Sequence, residues 1–106
     1  MENFVMTRGD TLAFGVELEG VAAQEIDAVY FSVKADRNDT NYVFQKTLGN
    51  GVEIVDENHL SIRTSPLDTA TLEPNNYYYD LQIDIGNDTY TILAGKLTIK
   101  KGITEE

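Results

Sequence analysis

Residues 11 to 18, Thr-Leu-Ala-Phe-Gly-Val-Glu-Leu, place Leu12, Phe14, Val16 and Leu18 at every second position. A period of two is that of a strand with one buried face, whereas a helix repeats its apolar residues every third or fourth position. The alternation returns three times. Over 26–35, Val29, Phe31 and Val33 oppose Tyr30, Ser32 and Lys34; over 59–64, Leu60 and Ile62 oppose Ser61 and Arg63. Over 75–85, Tyr77, Tyr79, Leu81, Ile83 and Ile85 oppose Tyr78, Asp80, Gln82 and Asp84. No stretch sustains a helical period, so the chain is constrained to an all-β fold.

The punctuation fills in the remaining elements. Residues 3–7 read as a short first strand ended by the turn Arg8-Gly9-Asp10, and Tyr42, Phe44 and Leu48 share a parity broken by Lys46. Asn50-Gly51 is the dipeptide that favours a tight hairpin, which predicts that 46–48 and 52–55 are adjacent antiparallel strands. Ser65 before Pro66, with an acidic residue in the first turn, predicts one short helical turn near residues 66–71. In 89–100, Tyr90, Ile92 and Ala94 share one parity and Leu97 and Ile99 the other. An extra residue must restore the face, and glycine is a usual place for it, so a bulge is predicted at Ala94-Gly95-Lys96. About eight short strands spaced by turns match a sandwich or a small barrel.

At 106 residues the chain suffices for one domain, burying roughly 65% of the surface its unfolded form exposes. The reading is a single domain over 1–106, with an ordered core of about 3–100 and a tail, 101–106, that frays or leads toward a partner. No apolar run approaches the roughly 20 residues of a membrane span. The first residues lack the apolar stretch of a signal peptide, so cytoplasmic synthesis is the expectation. Eighteen acidic against eight basic residues give a net charge of −10, which repels phosphate backbones and anionic membranes and argues against both as partners.

A search for catalytic chemistry finds little. There is no cysteine and one histidine, His59, which shares a strand side with Ser61 but lacks a glycine-elbow context. Asp80 and Asp84 project from one strand face, as general acid and base pairs do, but the solvated face of an antiparallel sheet carries such pairs without function. Asp36, Asn38 and Asp39 share a loop without the glycine and glutamate of a calcium-binding EF-hand loop. Arg8-Gly9-Asp10 spells an adhesion tripeptide and reads as a turn. The expectation is a non-enzyme with no catalytic residue, no metal and no cofactor.

Six tyrosines are many for this length, and tyrosine joins an apolar ring to a polar tip at interfaces and carbohydrate sites. Tyr30 and Tyr78 are the surface-contact candidates. Leu72-Glu-Pro74 before the tyrosine run looks like the corner of Ig-like sandwiches, where a Tyr hydroxyl bonds upstream backbone; packing parity selects Tyr77 or Tyr79 as the buried one.

Five segments in order, Thr7 to Phe14, Ile26 to Lys34, Ser65 to Thr69, Asn76 to Gln82 and Thr91 to Ile99, carry a resemblance. Together they resemble small Ig-like proteins of phages and prophages of Gram-positive bacteria, and the N-terminal domain of phage baseplate upper proteins. The resemblance spans roughly residues 4 to 100 and implies a two-sheet antiparallel β-sandwich, Ig-like. It also implies a non-enzymatic structural protein of a virion, in the tail, baseplate or a related appendage, assembling with other virion proteins and with itself as a homo-oligomer. The alternative is a carbohydrate- or cell-surface-binding module on the same scaffold. Under either, an exposed sheet edge is a means of recruiting a neighbour, and the terminal segments 3–7 and 96–106 are the expected edges.

Overall fold

The computed structural model describes residues 3–102. The alternating segments become β1 (Phe4–Thr7), β2 (Ala13–Glu17), β3 (Ala28–Lys34), β4 (Phe44–Leu48), β5 (Gly51–Asp56), β6 (His59–Arg63), β7 (Asn75–Ile85) and β8 (Asp88–Lys100). The helical turn is α1, Pro66–Thr69, where the Ser65 N–H donates to the Asp68 carboxylate at 2.7 Å as a capping box requires. The strand count and the helical turn fall where the alternation and the capping residues put them.

The two-sheet antiparallel Ig-like sandwich is corrected. The strands form one eight-stranded mixed sheet in the order β1-β8-β7-β3-β4-β5-β6-β2, curled into a half-barrel. Two pairs are parallel: β1 with β8, where Val5 opposes Thr98, and β4 with β5, where Thr47 opposes Gly51. The second is what keeps the ladder unbroken, because it joins the β1-β8-β7-β3-β4 portion to the β5-β6-β2 portion. Curling brings the two end strands together inside the fold, where the Phe4 ring stacks on Phe14 with centroids 4.6 Å apart.

The expected hairpin at Asn50-Gly51 is corrected by the same seam. A two-residue turn of that type needs positive φ at both central residues. Here the positive values belong to Gly49 (+85°) and Gly51 (+95°), and Asn50 between them has none. The chain coils through the bonds Asn50 N–H to Thr47 O (2.8 Å) and Gly49 N–H to Val52 O (2.8 Å), then resumes in its original direction one strand over. Gly51 is tied to this path twice, since a Cβ there would lie 2.6 Å from the Lys46 stem and 2.8 Å from the Arg63 carbonyl.

The expected bulge is displaced. Leu81 pairs with Leu93 and Gln82 with Thr91, so the extra residue is Ile92. Gly95 instead pairs in regular register with Tyr79, on the buried parity, where it puts no side chain beside the Tyr79 ring. The face is therefore restored three residues before the glycine, and Leu93, Gly95, Leu97 and Ile99 all turn inward.

The core lies in the hollow of the sheet. Phe31, Leu60, Ile62, Leu81, Leu97 and Val52 have no exposed surface, and Phe14, Phe31, Phe44 and Tyr79 form an aromatic chain through the centre. Tyr77 and Tyr79 are both buried, and the Tyr77 hydroxyl donates to the Glu73 carbonyl four residues upstream at 2.7 Å. Tyr42 and Leu48, expected to share the inward parity of Phe44, are exposed. Lys46 takes that parity, buried and ion-paired with Asp68 at 2.7 Å.

Of the terminal segments expected to be edges, Phe4–Thr7 does end the sheet at β1. Residues 97–99 lie between β1 and β7 and are paired on both sides, and Lys100 is paired with Thr7 of β1. The other edge is β2. Of the expected tail, residues 103–106 lie outside the described residues.

Candidate functional site

Side chains on the even parity of β3 and β7 leave the core and build the outer face. Register places them in rows: Tyr30 beside Gln82, Ser32 beside Asp80, and Lys34 beside Tyr78. The rows extend onto β8, where Asp80 meets Ala94 and Tyr78 meets Lys96. Tyr30 and Tyr78, the two surface-contact candidates, therefore share one face, separated by four residues of strand or roughly 13 Å. They do not form one site.

Tyr78 does belong to a depression. A shallow cavity of about 310 Å³ is lined by Ser32, Lys34, Arg37, Tyr78 and Asp80, with the small Ala94 on its β8 side. Arg37 comes from the loop after β3 and lies over the Tyr78 ring, its guanidinium carbon 4.7 Å from the centroid, a cation–π arrangement. Lys34 donates from Nζ to the Asp39 carbonyl at 2.8 Å. The half-buried Asp80 carboxyl is held above the usual carboxylate range by burial, with Lys34 pulling in the opposite direction.

The other candidates are engaged elsewhere. His59 Nδ1 lies 2.8 Å from the Asp56 carboxylate and Nε2 3.5 Å from that of Glu17; among the described residues its partners are these carboxylates and not Ser61. The hydrogen bond to Asp56 raises the His59 pKa above its ordinary value. The Asp56 pKa is lowered, first by the Asn58 N–H it accepts and then by His59. Asp84 accepts the Thr89 hydroxyl at 2.8 Å, and four residues of strand put it roughly 13 Å from Asp80, wider than the roughly 5–9.5 Å of paired glycosidase carboxylates.

In the 36–41 loop the carboxylates brace backbone: the Asn38 N–H donates to Asp36 at 2.9 Å and the Asp36 N–H to Asp39 at 3.2 Å. In the Arg8-Gly9-Asp10 turn, Arg8 Nη1 donates to the Leu72 carbonyl at 3.2 Å and the Gly9 N–H to the Thr69 hydroxyl at 2.9 Å. The tripeptide is thereby pinned to the α1 corner. Lys34, Arg37 and Ser32 escaped the sequence reading as site residues; the signal available for Lys34 and Ser32 was their shared parity with Tyr78 and Asp80, which acquires meaning only once β3 and β7 are known to pair, and the loop residue Arg37 carried none.

No protein-family model matches the sequence, and no curated protein matches it. Among solved structures, the chain is similar to part of the endo-beta-1,4-mannanase from Thermotoga petrophila, with a TM-score of 0.62 and 8% sequence identity. The match covers 96% of this chain and 18% of that one. At that identity the likeness is one of fold alone.

Proposed function

We propose that this chain is a non-enzymatic structural protein of a bacteriophage virion, in the tail, baseplate or a related appendage, and that it works by assembling with other virion proteins and with itself. The observation that carries the reading is the open sheet. Among the described residues β1 and β2 end the sheet without pairing with each other, so each has one edge with no strand partner there, and such edges recruit neighbours by strand addition. Exposed Val5 on β1, and Ile54 and Val55 on β5, add apolar surface near those ends. The five segments that resemble phage proteins supply the class.

Size-exclusion chromatography with light scattering tests the assembly step. The proposal expects a defined homo-oligomer that falls toward monomer when Val5 on the β1 edge is replaced by proline, with the β-sheet circular dichroism retained. A monomer at all concentrations, joined by no virion protein in co-expression, overturns it.

A further inference from the structure

The outer-face cavity carries chemistry that assembly through sheet edges does not use. The chain bears a net charge of −10, yet three of its eight basic side chains gather around one tyrosine. Lys34 and Lys96 flank Tyr78 in a single cross-strand row, and Arg37 lies over its ring. Cross-strand neighbours in a sheet favour opposite charges, and an acidic protein has carboxylates to spare for the purpose. Among the described residues no carboxylate lies within ion-pair distance of Lys34, Arg37 or Lys96.

The donors are also free in kind. The Arg37 guanidinium lies over the Tyr78 ring, and among the described residues no hydrogen bond engages its five N–H donors, which remain for an acceptor. The Lys34 ammonium spends one of three donors on the Asp39 carbonyl. Two further polar groups line the cavity. Asp80 is an acceptor on the cavity floor, and Ser32 already takes the Gln45 amide at 2.9 Å and keeps its own hydroxyl proton to donate. The volume of about 310 Å³ lies at the small end of ligand pockets.

We propose that this cavity binds a carboxylate-bearing sugar, a uronic-acid unit of an anionic glycan, with Arg37 and Lys34 at the carboxylate, Lys96 adding positive charge from the neighbouring position of the Tyr78 row, and Asp80 and Ser32 at the ring hydroxyls. An acidic peptide supplies the carboxylates but not the vicinal hydroxyls that an acceptor on the floor selects. The proposal stands apart from the assembly reading, since neither sheet edge contributes to the cavity.

The test is a titration of the ¹⁵N-labelled protein with trigalacturonic acid, followed by amide chemical shifts at low and high salt. The expected result is saturable shifts confined to the rows of Ser32, Lys34, Tyr78 and Lys96. Loss of two charge-assisted contacts in the Arg37→Gln/Lys34→Gln variant should weaken binding by about tenfold or more. Neutral galactotriose should bind at least about tenfold more weakly for the same reason. Equal binding of the neutral sugar, tighter binding of a penta-glutamate peptide, shifts scattered over the surface, or no saturable shift each overturns the proposal. Because Lys34 lies on the outer face and Arg37 in the exposed loop after β3, an unchanged spectrum elsewhere confirms that the variant remains folded.

Discussion

Replacing Asp68 by alanine removes several interactions of one carboxylate, which accepts the Ser65 N–H at 2.7 Å, the Ser65 hydroxyl at 3.3 Å and the Lys46 ammonium at 2.7 Å. Loss of the capping contact costs about 1 kcal/mol. Leaving the Lys46 ammonium without its anion, with its side chain only 11% exposed, costs about 2 kcal/mol more. The sum, about 3 kcal/mol, lowers Tm by roughly 12 to 24 °C in a domain of this size. Lys46→Met acts differently. It keeps an apolar stem against Gly51 and removes a desolvated charge, while Asp68 retains its Ser65 contacts, so the cost stays within about 1 kcal/mol. The double variant should lose little beyond the cap, giving a coupling of about 2 kcal/mol. Urea unfolding followed by far-ultraviolet circular dichroism and tyrosine fluorescence measures all three. If Lys46→Met costs as much as Asp68→Ala and the two effects add, the pair is not the unit described.

Three further outcomes are expected. Tyr77→Phe leaves the Glu73 carbonyl without its buried donor and costs about 1–2 kcal/mol in the same unfolding assay, whereas Tyr30→Phe on the outer face is neutral. Gly51→Ala combines a φ of +95° with contacts at 2.6 and 2.8 Å and should destabilise more than Gly49→Ala, whose Cβ meets nothing within 4 Å; equal melting temperatures would refute this account of the seam. Folded His59 holds its proton more tightly than the unfolded chain, so its contribution is complete below the ordinary value of 6.5 and disappears as pH rises through the higher folded value. Asp56 contributes above its ordinary value of 3.8 and loses that contribution as pH falls through its lowered folded value. The melting-temperature difference between the native chain and His59→Gln should therefore be positive between these two values and shrink on the alkaline side; a difference that grows with pH contradicts the pairing.

Local structure was legible in the sequence and pairing was not. Alternation located four of the strands and turn residues helped delimit the others, Ser65-Pro66 located α1, and parity put Tyr77 and Tyr79 on the buried side of β7. Alternation reports which side of a strand is buried and is silent about which strand lies beside it. The parallel partner of β1 was therefore out of reach. Asn50-Gly51 misled because the conformation of the turn depends on where positive φ falls, and Gly49 shared that burden with Gly51. The reversal of parity in β8 correctly required an extra residue, but the glycine drew it to the wrong place; Gly95 pairs in regular register with Tyr79, and Ile92 bulges. At the candidate site Tyr78 was singled out for its exposed parity, while Arg37 reached it through a loop whose path no periodicity encodes.

The half-barrel stands on the two parallel pairings that make one sheet of eight strands, and cross-strand nuclear Overhauser contacts in the labelled protein test them directly. Contacts of parallel type linking Thr47 with Gly51 and Val5 with Thr98 are predicted. Close Hα–Hα contacts across residues 47–52, the mark of an antiparallel hairpin, together with no link from β1 to β8, would contradict the account.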